Sequence, residues 1–215
     1  MLLAVAAVLA ACGGNATAPD TRTGPLTLEL TCDTTGSSPL RCTARMDCGL
    51  YGCPSGVPTG DVTSLVSWSV DDPSVAVVTG KGAVTAAGPG KTTLHALFQD
   101  RVTLTNSARI GVFAGTAPLP LQDLHGIVYD GPTAAVGPID GATVQITAGL
   151  VQGLTAVTGH APTLLFVFPG EYLFLDVPPD VMRLRVSSPG YVTVEREIHT
   201  PGNQADYNFQ LHRTE

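Results

Sequence analysis

The chain has 215 residues, of which only 13% are charged and 6% aromatic, with 24 Gly and 17 Pro; that balance points to short strands joined by many turns and away from a helical bundle. Eleven Lys and Arg against eighteen Asp and Glu leave a formal charge of −7, so the basic surface that phosphate neutralisation requires is missing and a nucleic-acid partner is disfavoured. The length accommodates one large or two small domains, and the runs described below fill two.

Residues 1–11, MLLAVAAVLAA, are an uninterrupted apolar run, too short to cross a hydrocarbon core of about 30 Å as a helix but suited to a signal-peptide core. The run closes on Leu9, Ala10, Ala11 and Cys12, which resembles the lipobox of bacterial lipoproteins. The resemblance implies cleavage after Ala11 and a diacylglycerol-modified Cys12 as mature N-terminus. No Lys or Arg precedes Leu2, a departure from the usual signal. Residues 12–24 then form the lipidated cysteine and a flexible tether, because small, polar, unpatterned sequence cannot offset its chain entropy. No later segment approaches the ~18 apolar residues of a membrane helix, so the lipid on Cys12 is the expected membrane contact. Gly13 resembles the outer-membrane sorting pattern, which places the chain in the bacterial envelope. The Asn15 sequon carries no weight in such a tether.

Cys32, Cys42, Cys48 and Cys53 are an even set in an exported chain, the usage of disulfides. Leu26, Leu28, Leu30 and Cys32 share one parity, and Leu40, Cys42, Ala44 and Met46 another. A hairpin turning at residues 34–38 sets Cys32 against Cys42 and leaves Cys48 for Cys53. Three pairings are open to four cysteines. The rival is a Cys₄ zinc site, disfavoured because paired CxxC knuckles are missing.

Residues 25–115 carry short Val-, Leu- and Thr-rich runs between turns, the pattern of a β-sandwich. Val66, Trp68 and Val70 alternate with Ser67 and Ser69; Asp71, Asp72, Pro73 and Ser74 break the strand, since Pro cannot donate to a ladder. A strand at 75–78, a tight turn at 79–82, a return to Ala86 and a Gly88-Pro89-Gly90 turn follow, before Leu94, Ala96 and Phe98 alternate again. Trp68, the DPSVA run at 72–76, GAVTA at 82–86 and PGKTTL at 89–94 resemble the group-2 bacterial immunoglobulin-like family over residues 65–113. The resemblance implies a spacer or binding module and makes the disulfide-bearing start a local elaboration. Trp68, placed on the apolar parity, reads as the core aromatic of the sandwich in preference to a carbohydrate-stacking residue.

Residues 116–122, stiffened by Pro118 and Pro120, read as a linker, and residues 123–213 as a second sandwich. Strands are expected at 124–129, 142–146, 171–177, 182–186, 191–194 and 207–211. GIVYD at 126–130, GPIDGATVQI at 137–146, GEYLFLDVPP at 170–179 and the stretch 182–191 resemble the carboxypeptidase regulatory-like family, whose fold is similar to transthyretin. The fold class is therefore all-β, two tandem sandwiches, immunoglobulin-like then transthyretin-like. Residues 159–169 depart from the second family's pattern. Within them Leu164, Leu165, Phe166, Val167 and Phe168 are apolar on both parities and need cover on both faces; contact between the two modules is the expectation, with a partner or the membrane surface as the other covers.

Catalytic motifs are missing. His212 and Glu215 spell HxxE, but no third ligand follows, and the last residues lack the Tyr-Arg-Gly-Ser motif of transthyretin-like hydroxyisourate hydrolases. His95, His125, His160, His199 and His212 show no HExxH or HxH spacing and read as surface residues. No GxSxG elbow or phosphate loop is present. Asp71 and Asp72 are too few oxygens for calcium. The sequence thus describes a non-enzymatic, lipid-anchored envelope module with a protein or polysaccharide partner and neither cofactor nor metal. The alternative is an exported enzyme or accessory subunit whose site is built from loops.

Overall fold

The computed structural model describes residues 26–49, 52–160, 168–202 and 204–215. The run 1–11, Cys12, the tether and Leu164 to Val167 lie outside the described residues. Among the described residues there are sixteen strands and no α-helix, so no helix is long and apolar enough to cross a membrane.

The first sandwich holds β1 (Thr27–Cys32), β2 (Leu40–Asp47), β3 (Gly60–Asp61), β4 (Ser67–Val70), β5 (Ala76–Thr79), β6 (Ala83–Ala86), β7 (Gly90–Gln99), β8 (Thr103–Val112) and β9 (Leu119–Pro120). One sheet runs β1-β2-β6-β5 with β3 beside β2; the other runs β4-β7-β8-β9. Strict alternation drives them together: Leu40, Cys42, Ala44 and Met46 of β2 and Leu94, Ala96 and Phe98 of β7 are all buried. Each such large side chain withdrawn from water contributes about 1.5–3 kcal/mol. Trp68 is half-buried against the apolar clusters of both halves of this core, and its indole N–H donates to the Thr63 carbonyl at 3.1 Å. It is a core aromatic, as its parity implies.

The hairpin of β1 and β2 has the expected register, Cys32 facing Cys42 and Leu28 facing Met46. Cys32 is bonded to Cys42 and Cys48 to Cys53, which removes the Cys₄ zinc reading. The start is not a local elaboration: β2 pairs with β6 through Leu40 and Val84, and Leu40 and Cys42 share a cluster with Val84, Leu94 and Ile110. The turn between β5 and β6 spans Gly80, Lys81 and Gly82, all at positive φ. Gly82 also lies against the Cys42 carbonyl so closely that a Cβ would collide with it, which ties this turn to the disulfide.

The second sandwich holds β10 (Gln122–Tyr129), β11 (Thr143–Ala148), β12 (Thr155–Val157), β13 (Glu171–Val177), β14 (Asp180–Ser187), β15 (Val194–Thr200) and β16 (Phe209–Gln210). Its sheets run β13-β10-β16 and β12-β11-β14-β15. Leu124, Val128, Val144, Ile146, Tyr172, Phe174, Met182, Leu184, Ile198 and Phe209 fill the core. Two expectations need correction. The strand expected at 191–194 begins at Val194 and runs on through Glu195, Arg196 and Glu197 to Thr200, with only Ile198 and Thr200 buried; its charges hide it from a search for apolar alternation. The strand expected at 207–211 shortens to β16, which pairs parallel to β10 after a 3-10 turn at Gln204–Tyr207.

The segment 116–122 is not a free linker. Leu119 and Pro120 pair with Gly111 and Ile110, and the Leu121 N–H donates to the Arg109 carbonyl at 2.7 Å. β10 begins at the next residue.

Candidate functional site

Where β8 ends and β10 begins, the two sandwiches meet end to end. Arg109 of β8 reaches across with both arms of its guanidinium: Nη2 donates to Asp123 Oδ1 at 2.8 Å, and Nη1 lies 2.8 Å from Asp176 Oδ1. Lys91 Nζ adds a contact to Asp176 Oδ2 at 3.3 Å, and the Asp176 N–H donates to Asp123 Oδ1 at 3.3 Å. Asp176 Oδ1 is buried and outside hydrogen-bond alignment, so the adjacent guanidinium charge is what compensates it. Asp176 stands at φ 58, a left-handed conformation that Asp tolerates better than most residues. None of Lys91, Arg109, Asp123 or Asp176 was legible as a site residue in the sequence. The available signal was weak: Asp176 stands where the buried parity of Tyr172 and Phe174 would place another apolar residue, and Asp123 follows directly on the Pro-rich segment.

The far end of the second sandwich is built differently. Asp130, just past β10, accepts from the Tyr191 hydroxyl at 2.8 Å and from Arg213 Nη2 at 3.1 Å. Those two donors, the Tyr191 hydroxyl first, hold the Asp130 carboxyl below the usual carboxylate range, and Asp130 in turn pushes the Tyr191 phenol up. The clasp fixes the segment after β16 against the turn before β15. Around the same end lie the exposed apolar residues Val136, Phe168 and Val192, at 52%, 71% and 52% exposure. Phe168 belongs to the run expected to join the modules, and it does not. It precedes β13 by a turn, the Glu171 N–H donating to its carbonyl at 3.0 Å, and Glu171 pairs with Ile127 near the end of β10 remote from Gln122. Phe168 is thus a strand's length from the joint. The reason is topological: Phe168 leads into β13 at the end at which β10 finishes.

The histidines find local partners. His95 contacts Asp71 at 2.8 Å and lowers its carboxyl pKa, chiefly by hydrogen bonding; His125 lies 3.3 Å from Glu171 and His199 4.0 Å from Glu197; His160 contacts the Thr158 carbonyl; His212 is exposed. Asp72 caps its own turn through the Ser74 N–H and hydroxyl. Among the described residues no three His, Cys, Asp or Glu side chains gather in metal-binding geometry. Clefts beside Asp123 and His125 and beside Arg196 and His199 measure about 190 and 200 Å³, below the ~300–1,000 Å³ of common small-molecule sites.

Residues 55–108 match the bacterial Ig-like domain (group 2). No curated protein and no solved structure gives a significant match to the chain. Group-2 Ig-like domains are generally binding or structural modules of bacterial surface proteins. The matched stretch takes in β3 to β7 and about half of β8, and leaves out β1 and β2, although the Ig-like sandwich of this protein depends on both for its core.

Proposed function

We propose that the protein is a non-enzymatic stalk of the bacterial envelope, anchored in the outer membrane by lipid on Cys12, with its Ig-like sandwich as spacer and its second sandwich as the presenting end. The second sandwich fits the carboxypeptidase regulatory-like, transthyretin-like pattern of its sequence, with residues 123–213 as one module. The partner is a protein or a polysaccharide that meets the far end. One observation carries the reading: the polarity of the chain along its length. Leu26 and Leu28 pack in the cluster of Val102 and Leu104, whereas Cys32 packs in that of Ala108 and Ile110, so β1 runs alongside β8 in the same direction and residue 26 emerges at the end of the Ig-like sandwich remote from the joint. Val136, Phe168 and Val192 lie beyond the joint, at the opposite extremity. A lipid at Cys12 would therefore hold one end at the membrane and the apolar loops as far from it as the molecule allows. The shallow clefts and the mutual pairing of the polar groups support a contact surface over a catalytic centre.

The test is membrane fractionation of the full chain expressed in a bacterium with its native leader. The unaltered protein is expected in the membrane pellet after a carbonate wash, and Cys12→Ser in the soluble fraction. A Cys12→Ser protein that stays in the pellet would overturn the anchor, and with it the assigned orientation.

A further inference from the structure

Arg109 is the only residue among the described ion pairs whose side chain holds two carboxylates of the neighbouring sandwich at once. We propose that it is the latch of an ionic joint: gripping Asp123 of β10 and Asp176 of β13, with Lys91 behind, it makes the two sandwiches move as one body, and its loss lets the second swing about Leu121. This inference does not depend on the anchor or on any partner.

The apolar cores leave the task to charge. The cluster of the second sandwich runs from Leu124 to Leu211 and contains no residue of the first; the clusters of the first run from Leu28 to Ile110 and contain none of the second. Leu119 and Leu121 are buried, but they lie on the segment stitched to β8, Leu121 against Gly111. They fix where the pivot is and leave its angle free. An isolated surface pair would fix little, since exposed ion pairs are screened and lose side-chain entropy when held. Here one planar guanidinium spans two carboxylates on different strands, a geometry that sets direction as well as distance. Asp176 is only 27% exposed, so its charge is partly shielded from salt. The backbone supports the same reading: a left-handed Asp persists where its surroundings over-determine it, and here they do so through Arg109, Lys91 and Asp123.

The experiment measures the distance distribution between spin labels on non-canonical residues at Gln99 and Arg185, both exposed and one on each sandwich, in the full chain. The unaltered protein is expected to give one narrow peak. Arg109→Met, and separately Asp176→Asn, which keeps tolerance of the left-handed backbone, are each expected to broaden it about twofold. Unchanged Trp68 emission for the first sandwich and unchanged ring NMR shifts of Tyr172, Phe174 and Phe209 for the second certify the fold of each variant; should Arg109→Met fail to fold, Asp123→Asn, isosteric and 40% exposed, gives the same reading. Variants as narrow as the unaltered protein would show that apolar contact holds the joint and overturn the proposal, as would an unaltered protein already as broad as its variants at low salt.

Discussion

The Tyr172 hydroxyl donates to the Tyr207 carbonyl oxygen at 2.7 Å in the centre of the second sandwich, where Tyr172 is fully buried. This bond joins β13 to the 3-10 turn that precedes β16, and Gly126 of β10 passes beneath it so closely that a Cβ there would strike the Tyr207 carbonyl. Tyr172→Phe is expected to cost about 1–3 kcal/mol, because it leaves a buried carbonyl without that donor. Gly126→Ala should cost more, since the obstacle is backbone. Urea denaturation of the two variants measures both, and a Tyr172→Phe protein as stable as the parent would refute the role of the bond.

The same phenol predicts an alkaline limit. Burial pushes the Tyr172 hydroxyl far above the ordinary tyrosine range, with Arg196 opposing the rise and Tyr207 adding to it. The folded chain thus holds this proton more tightly than the unfolded chain, so stability is complete below about pH 10 and falls as pH rises beyond it. Denaturation midpoints measured from pH 8 to 12 should fall at the alkaline end, and Tyr172→Phe should flatten that fall.

The two disulfides differ in what they support. Cys42 is buried among Leu40, Val84 and Leu94, and its bond to Cys32 ties neighbouring strands at directly opposed positions. The Cys48–Cys53 bond closes a shorter loop, with a sequence separation of 5 against 10. Replacing Cys32 and Cys42 together by Ser is expected to cost about 2–4 kcal/mol, and replacing Cys48 and Cys53 less. An equal or reversed order in thermal melts would show that Cys42 does not act as a core residue.

How much of this was legible depended on whether the signal was periodic. The hairpin of β1 and β2, its disulfide and the alternating faces of β4 and β7 could be read because apolar side chains recur at period two and the cysteines sit symmetrically about a turn. β15 could not, since Glu195, Arg196 and Glu197 leave a single buried aliphatic in its middle. The joint was illegible for another reason: Lys91 and Asp176 are 85 residues apart, and nothing in either neighbourhood names the other. The apolar run at 164–168 did signal a surface needing cover, but composition carries no topology, and only the course of β13 shows which end of the sandwich Phe168 occupies.

At the far end, the clasp around Asp130 should respond to acid. The Tyr191 hydroxyl and Arg213 lower the Asp130 pKa, so their contribution is present above the ordinary aspartate range and is lost as pH falls below it. Carboxyl carbon shifts followed by NMR should show Asp130 titrating at a lower pH than a free aspartate. Tyr191→Phe should move that titration upward more than Arg213→Gln does. No movement in either variant would mean that the clasp does not form in solution.

Two phenylalanines of the second sandwich separate core from contact surface. Phe174 is 4% exposed and lies beside Tyr172, ring centroids 5.8 Å apart; truncating such a residue leaves a cavity the neighbours cannot fill, and Phe174→Ala is expected to cost about 3–5 kcal/mol. Phe168 is 71% exposed, so Phe168→Ser removes little buried area and should change stability by less than ~0.5 kcal/mol. It should also leave the joint undisturbed, because Phe168 sits at the opposite end of β10. Urea denaturation of both variants, with the Gln99–Arg185 distance measured in the second, checks the pair. If Phe168→Ser destabilised the protein as much as Phe174→Ala, Phe168 would be covered within the folded chain, and the far end would no longer present an open apolar surface to a partner.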